Sequence, residues 1–131
     1  WEYANTTMDV HPMHVHLVQF QVYNRQRADT AAYKKDYERW VAYGRVPSAK
    51  PLLSRYLIGD PIPPTPEEIG WKDTFKALPN MVSRIIATFD LPGAVPGIVG
   101  TVSHTPAEYV HHCHILEHED NEMMRPWHVV E

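Results

Sequence analysis

The residues best suited to chemistry lie close together near the end of the chain, in residues 112–123, which hold the single cysteine, three histidines and a methionine. Copper that transfers electrons at high potential favours two imidazoles and one thiolate in a trigonal plane, with a weak thioether above it. Cys113, His118 and Met123 supply a thiolate, an imidazole and a thioether at spacings of five residues, short enough for one loop to wrap a metal. The second imidazole must come from elsewhere in the chain, and His11 is the leading candidate.

The two histidines that flank the cysteine predict a second metal centre. Alternate side chains of a β-strand point to opposite faces, so Cys113 would face one way while His112 and His114 face the other. His111 is expected to lie on the Cys113 face, as a packing residue or behind the ligands. The sulfur of one site would then be joined by covalent bonds to imidazoles of the other, which makes a short through-bond path for electrons. A simple electron carrier has no use for such a path.

A second histidine segment, His11-Pro12-Met13-His14-Val15-His16, lies near the start of the chain. Two of its histidines, His14 and His16, are expected to share one face of a strand and to contribute imidazoles to a metal cluster. Pro12 helps to fix the turn that separates His11 from them. On its own this H-x-x-H-x-H pattern is also compatible with a zinc site, but beside residues 112–123 the copper interpretation is favoured.

Strands are the main elements that must position these groups. Alternation and β-branched content predict strands over residues 14–23, 81–89, 107–112 and 127–130. In the first of them, the two histidines are expected to lie on the same face as Val18, Phe20 and Val22. A sandwich or barrel needs more than these four or five strands to close its edges, so we expect part of a β-domain that other chain completes.

One helix is predicted over residues 29–44, with Asp29 as its N-cap and Gly44 just beyond its end. Its apolar stripe is expected mainly to pack the helix onto the domain, with a wall of the substrate site as the alternative. The stripe consists of Tyr33, Tyr37, Trp40 and Val41. The proline-rich residues 45–72 and the glycine-containing residues 91–105 are predicted to be loops.

The composition fits one globular domain and argues against two classes of partner. The chain has 131 residues, of which 44% are hydrophobic and 21% charged. With a net charge of −4 and no lysine- or arginine-rich run, no nucleic acid partner is expected. No apolar run approaches the roughly 18 to 20 residues of a membrane span, so none is predicted. Extracytoplasmic, spore-associated and cytoplasmic locations all agree with the sequence.

The pairing of HPMHVHLVQFQV with HHCHILEHEDNEMMRPW resembles the C-terminal cupredoxin domain of multicopper oxidases, most of all that of bacterial spore-coat laccases, bilirubin oxidases and phenoxazinone synthases. The segment GWKDT at residues 70–74 is also similar to a segment of these enzymes. Residues 27–60 and 94–106 depart from the family pattern, and both border regions where such enzymes admit substrate. The resemblance implies an all-β, cupredoxin-like Greek-key sandwich or barrel, present in part over residues 1–131, with a helical and proline-rich insertion at about 29–72.

The resemblance also implies a role for each metal-binding residue. Type 1 copper would be bound by His11, Cys113 and His118 with Met123 as the weak axial ligand, type 2 copper by His14, and the paired type 3 coppers by His16, His112 and His114. The complete enzyme would hold four coppers, and N-terminal cupredoxin domains would supply two further His-x-His pairs. The chain is therefore expected to be the C-terminal part of a longer oxidase, active only together with the missing N-terminal part.

The reaction implied by the resemblance is one-electron oxidation of a small phenolic or aminophenolic aromatic, coupled to reduction of dioxygen to water. Bilirubin and metal ions remain alternative reductants. Electrons would enter at the imidazole edge of His118 and pass through Cys113 to the second site. Because dioxygen reduction consumes protons, Glu119 is a candidate proton relay, as is Asp120; each could instead hydrogen-bond a ligand imidazole or be solvated.

Two other classes of protein share part of the pattern. A single-copper electron-transfer cupredoxin would use His11, Cys113, His118 and Met123 but would leave the remaining four predicted ligands without a purpose. A copper nitrite reductase also joins a blue copper to a catalytic copper, yet it lacks the paired histidines around the cysteine. Copper content separates the three classes, because four coppers per assembly indicate the oxidase, one the carrier, and two per subunit the reductase.

Overall fold

The computed structural model describes residues 1–89 and 107–129, and there the chain forms two four-stranded antiparallel sheets packed as a cupredoxin-like β-sandwich. The predicted loop over residues 91–105 lies outside the described residues. The strands are β1 (Glu2–Ala4), β2 (His11–Val15), β3 (Phe20–Ala28), β4 (Leu57–Ile62), β5 (Thr74–Ala77), β6 (Met81–Ala87), β7 (Ala107–Cys113) and β8 (Met124–Val129). The first sheet has the order β1-β6-β3-β4 and the second the order β5-β2-β7-β8.

The core lies between the sheets and is built from alternate residues of their strands. Burial alternates along β2, so Met13 and Val15 are inside while Pro12 and His14 are only half-buried. The buried cluster consists of Met13, Val15, Val18, Phe20, Val22, Phe75, Ala77, Ile85 and Cys113. Burying each large apolar side chain stabilises the fold by about 1.5–3 kcal/mol. The cysteine is thus part of the packed core between the two sheets.

A single strand over residues 14–23 is not found, and that prediction is wrong. The segment is divided, because β2 ends at Val15 in one sheet and β3 begins at Phe20 in the other. Between them Leu17 has a φ of 74°, a left-handed conformation that interrupts an extended run. The apolar residues of β3 point into the core. His14 and His16 lie outside β3 and do not share that face, contrary to the prediction.

The other predicted strands are found with shifted ends. The strand predicted over residues 81–89 is β6, which ends at Ala87; β7 continues to Cys113, and β8 begins earlier, at Met124. The prediction that residues 45–72 form only a loop is wrong, because they contain β4, an exposed strand at the sheet edge. Its proline and glycine residues are typical of a loop, which is why the strand was not predicted. A strand at a sheet edge tolerates them. The short strands β1 and β5 were not predicted.

The predicted helix is confirmed as α1 (Thr30–Ala42), which begins where the Asp29 carboxylate accepts a 3.0 Å hydrogen bond from the backbone N–H of Ala32. Its apolar stripe packs against a 3₁₀ turn, Leu53–Tyr56, where the rings of Tyr33 and Tyr56 lie 5.3 Å apart. The helix is therefore anchored within its own insertion. Among the described residues, no helix combines the length and apolar character needed to cross a membrane.

A buried ion pair fastens the end of the insertion to the first sheet. Arg25 of β3 donates two 2.6 Å hydrogen bonds to the carboxylate of Glu68, and two more, of 3.2 and 2.9 Å, to the backbone carbonyl of Lys76. The hydroxyl of Thr65 also donates to Glu68, at 2.9 Å. Burial alone would raise the pKa of Glu68, but these hydrogen bonds and the charge of Arg25 hold it below its ordinary value.

Candidate metal centre

Three of the predicted ligands meet at one end of the second sheet, and we call this group the cysteine site (His11, Cys113 and His118). The Nδ1 atoms of the two histidines lie 3.0 Å apart, and the sulfur of Cys113 lies 3.6 Å from that of His11 and 3.7 Å from that of His118. One ligand atom from each residue can be chosen so that all lie within 4.8 Å of one another. The three donors therefore converge on a small shared space.

Backbone hydrogen bonds hold the cysteine site in place. β2 and β7 pair with Met13 opposite Cys113, which brings the start of β2 beside the end of β7. The loop after the cysteine closes on itself, because the N–H of Cys113 donates to the carbonyl of Met123 at 3.1 Å and the N–H of Met123 donates to the carbonyl of His118 at 3.0 Å. The N–H of Ile115 also points at the cysteine sulfur, 3.5 Å away.

The donor set fits copper. Two imidazole nitrogens and one thiolate in a buried, preformed group are the equatorial ligands that an electron-transferring copper prefers, and Met123 packs against the core beside the cysteine. Exposure differs among the three equatorial residues. Cys113 is fully buried and His11 is 4% exposed, whereas the side chain of His118 retains 28% exposure. This agrees with the expectation that His118 is the most accessible of the three.

The other four predicted ligands lie together on the opposite side of β2 and β7, and we call them the histidine face. It consists of His14, His16, His112 and His114. The first of these is paired with His112 across the two strands, and the ring centroids of neighbouring imidazoles are 4.8–5.5 Å apart. The Nε2 atoms of His16 and His112 are 3.2 Å apart. The alternation of side chains along β7 thus separates the two groups as predicted.

Hydrogen bonds show which nitrogen each imidazole of the histidine face can offer. Nδ1 of His14 lies 2.7 Å from the backbone carbonyl of Asp73, and Nδ1 of His112 lies 3.1 Å from the carbonyl of Cys113. Because a carbonyl only accepts, both Nδ1 atoms carry the proton when the ring is neutral, which leaves Nε2 to bind a metal. The histidine face therefore presents Nε2, whereas the cysteine site presents Nδ1.

In each group, one histidine has a lowered pKa, which favours the neutral imidazole that can bind a metal. Burial lowers the pKa of His11, and the neighbouring His118 lowers it further. Burial also lowers the pKa of His16, and the other three imidazoles of the histidine face act in the same direction. Because positive charges packed this closely repel one another, protonation of His11 and of His16 is disfavoured. A metal ion is the natural partner for such a set of lone pairs.

Glu119, the predicted proton relay, lies beside the histidine face. One carboxylate oxygen is 3.3 Å from Nδ1 of His112, and the side chain is 22% exposed, so it joins a predicted ligand to solvent. Asp120, the alternative relay, is exposed. His111 lies on the cysteine side of β7 as predicted, where its ring packs against Trp1 and Tyr3. Burial lowers its pKa.

Sequence reasoning missed three residues that touch predicted ligands. Asp73 supplies the carbonyl that orients His14, and Asp9 places a carboxylate oxygen 4.0 Å from Nε2 of His118. The hydroxyl of Thr7 lies 2.6 Å from Nε2 of His11. Asp9 and Thr7 could have been suspected because they lie close in sequence to residues 11–16. The carbonyl of Asp73 could not, because every residue type has a backbone carbonyl.

A β-sandwich that holds a cysteine and two histidines on one side of a strand pair, and four histidines on the other, defines a class of copper proteins with more than one kind of site. The model of the multicopper oxidase family matches residues 1–131, the whole chain. The chain therefore belongs to the multicopper oxidase family. Membership of this family implies copper as the metal.

Relatives and solved structures agree with this assignment. The chain is 40% identical over 126 residues to a laccase of Bacillus subtilis (strain 168), a match that covers 96% of this chain and 19% of the laccase. It is 37% identical over 130 residues to the multicopper oxidase LPR2 of Arabidopsis thaliana, which covers 99% of this chain and 22% of that protein. The structure of the McoA multicopper oxidase from Aquifex aeolicus matches with a TM-score of 0.57 and 29% identity, over 99% of this chain and 19% of that one. The chain spans about a fifth of the length of these relatives.

Proposed function

We propose that this chain is the C-terminal part of a laccase-like oxidase that removes single electrons from phenolic or aminophenolic aromatics and reduces dioxygen to water. One observation carries the proposal: Cys113, the last residue of β7, lies in the cysteine site, while the residues before and after it in the chain lie in the histidine face. A carrier of electrons needs only the first group. The similarity to a protein named laccase supports the choice of an aromatic reductant.

Each predicted ligand has a role in this proposal. The cysteine site, with Met123 as axial ligand, would hold type 1 copper; His14 would hold type 2 copper; and His16, His112 and His114 would contribute to the paired type 3 coppers. When bound, copper supplies the one-electron redox chemistry and the dioxygen chemistry that side chains lack. The chain supplies preformed geometry, because its donors already converge through strand pairing and loop hydrogen bonds.

The exposed edge of His118 is the proposed entry point for electrons. Of the three residues of the cysteine site it is the one that solvent reaches, so a planar reductant can approach its ring there. From the sulfur of Cys113, the backbone leads by covalent bonds to the imidazoles of His112 and His114. His112 precedes Cys113 in β7 and His114 follows it directly in the chain, so the length of this covalent path does not depend on loop motion.

The histidine face would be completed by other parts of the full-length protein. His114 is exposed, and His14 and His16 are half-exposed, so imidazoles from another domain can reach the same space. Two His-x-His pairs from N-terminal cupredoxin domains are the proposed partners. Glu119 is the proposed proton relay to this space, because its carboxylate links His112 to solvent.

The proposal is tested on the full-length protein by its copper content, its optical spectrum and its turnover of a phenolic substrate with dioxygen. The expected result is four coppers per molecule, with an intense thiolate-to-copper band. One copper per molecule would instead favour an electron carrier, and two per subunit a nitrite reductase.

Matched variants assign the bands and coppers to residues. Cys113→Ser should abolish the intense band and turnover while most of the other copper remains bound. His14→Gln should retain the band but lose turnover, because it acts on the histidine face alone. His128→Gln is the control, since this histidine is more than half exposed and pairs with Glu108 near the start of β7. Turnover that survives Cys113→Ser would refute the proposed electron path.

A further inference from the structure

A chain of hydrogen bonds leads from the backbone of the second sheet, at Ala77, to the back of His11, the buried imidazole of the cysteine site. We propose that Thr7 is a positioning residue for the cysteine site: its hydroxyl, fixed by Asn5, holds the Nε2–H of His11 so that Nδ1 faces the metal and donates more strongly. This inference rests on the proposed function, because it concerns copper bound at the cysteine site.

The orientation of the Asn5 amide is fixed by its partners. Its Nδ2 lies 2.7 Å from the backbone carbonyl of Asp9 and 2.9 Å from that of Ala77, and both carbonyls can only accept. At the other end of the amide, Oδ1 accepts the backbone N–H of Thr7 at 2.9 Å. Asn5 is 6% exposed, so water does not compete for these bonds. The amide cannot turn over without placing a donor against a donor and oxygen against carbonyls.

The fixed amide sets the direction of the Thr7 hydroxyl. Oγ1 of Thr7 lies 2.8 Å from Oδ1 of Asn5 and 3.4 Å from the backbone carbonyl of Asp9, and both oxygens are acceptors, so the single hydroxyl proton is donated on this side, over the shorter contact to Asn5. Oγ1 also lies 2.6 Å from Nε2 of His11. With its own proton committed, Thr7 can only accept from this nitrogen. His11 therefore carries a proton on Nε2, and the lone pair of its neutral ring is on Nδ1.

The lone pair of Nδ1 points into the cysteine site, where it faces the sulfur of Cys113 at 3.6 Å and Nδ1 of His118 at 3.0 Å. An acceptor on the remote N–H of an imidazole raises the basicity of the metal-binding nitrogen. A stronger donor stabilises oxidised copper more than reduced copper. Thr7 is therefore expected to lower the reduction potential of the site.

The two histidines of the cysteine site differ in this respect. Behind His11 stands the half-buried, neutral hydroxyl of Thr7, whose direction Asn5 fixes through its own bonds to the carbonyls of Asp9 and Ala77. Behind His118 stands the carboxylate of Asp9, 4.0 Å from Nε2 and 70% exposed. His11 is therefore held in one orientation, whereas His118 remains accessible for electron entry.

The test compares three substitutions in the full-length protein. Thr7→Val removes the hydroxyl and keeps the shape, Thr7→Ser keeps the hydroxyl and loses a methyl group, and Thr6→Val is the control. The hydroxyl of Thr6 makes no hydrogen bond to any residue in the ranges 1–89 and 107–129. Redox titration of the intense optical band should show a higher potential for Thr7→Val alone. At a fixed poise, the ratio of reduced to oxidised copper is expected to rise roughly three- to tenfold, on the scale of one lost hydrogen bond; tenfold corresponds to about 59 mV.

A second measurement is independent of copper. In the metal-free protein labelled with ¹⁵N-histidine, the wild type, Thr7→Ser and Thr6→Val should show a slowly exchanging Nε2–H proton that is absent from His11→Gln. Thr7→Val should lose this protection. The inference is overturned if Thr7→Val keeps either the protected proton or the potential of the wild type, or if Thr7→Ser behaves like Thr7→Val. A wild-type protein that never develops the optical band would refute the proposed function and the tuning of copper, whereas a normal band with an unchanged potential in Thr7→Val refutes this inference alone.

Discussion

Removal of one partner from the buried pair between Arg25 and Glu68 should weaken the domain markedly. Arg25→Met keeps the length of the side chain but removes two charge-assisted hydrogen bonds of 2.6 Å and two bonds to the carbonyl of Lys76. The carboxylate of Glu68, with 8% of its side chain exposed, is left with the hydroxyl of Thr65 as its hydrogen-bonding side chain. Stranding a buried charge in this way costs about 3–5 kcal/mol.

The size of the loss can be separated from general damage by two comparison variants. The double variant Arg25→Met/Glu68→Met removes both charges and should recover most of the lost stability, because an apolar pair of similar volume often replaces a buried ion pair at little cost. Lys34→Met removes a pair at 4.0 Å whose side chains are more than half exposed, and should change stability by no more than about 0.5 kcal/mol.

Denaturant titration of the full-length protein, followed by the loss of the thiolate-to-copper band, reports unfolding of this domain. Glu68 adds an acid dependence. Its pKa in the fold is below the ordinary value of 4.5, so its stabilisation is complete above pH 4.5 and is lost as the pH falls through the lower, folded value. Arg25→Met should abolish this acid-dependent part. An Arg25→Met protein as stable as Lys34→Met, or one less stable than the double variant by under about 1 kcal/mol, would refute the reasoning.

Three further changes have defined outcomes. Met123→Leu removes the proposed weak axial thioether and should raise the reduction potential without loss of the optical band, as a redox titration would measure; a band lost altogether would mean that this methionine supports folding and not tuning. Glu119→Gln keeps the contact with His112 but cannot carry a proton, so turnover should fall severalfold and its pH profile should change; identical turnover across pH would remove the relay from the mechanism. Asp29→Ala removes the cap on Ala32 and should cost about 1 kcal/mol of stability in denaturant, while Asp29→Asn should cost far less.

The two metal-binding groups could be predicted from sequence because strand alternation determines them. His112 and Cys113 are the last two residues of β7 and His114 follows directly, so opposite faces follow from the extended backbone wherever that strand is placed. The helix α1 was predictable for a similar reason, since Asp29 and Gly44 mark its ends locally. Both predictions depend only on residues that are close together in the chain.

What could not be predicted depends on contacts between distant segments. The change of sheet at Leu17 was hidden, because a leucine gives no sign that its backbone is left-handed. β4 forms only by pairing with β3, and its own proline-containing sequence favours a loop. The carbonyl of Asp73 reaches His14 because β5 lies beside β2, a fact of topology that residue types do not encode.

The placement of sulfur and imidazoles on opposite sides of β7 makes the chain unequally tolerant of changes in length. Insertion or deletion of one residue in β7 before His112 would turn over the side chains that follow, sending the sulfur of Cys113 toward the histidine face and the imidazoles of His112 and His114 toward the core. Both centres would be lost in one step. The segment between β3 and β4 carries none of the proposed ligands and joins the sheet at its margin, so it can grow or shrink while the spacing of the metals is preserved.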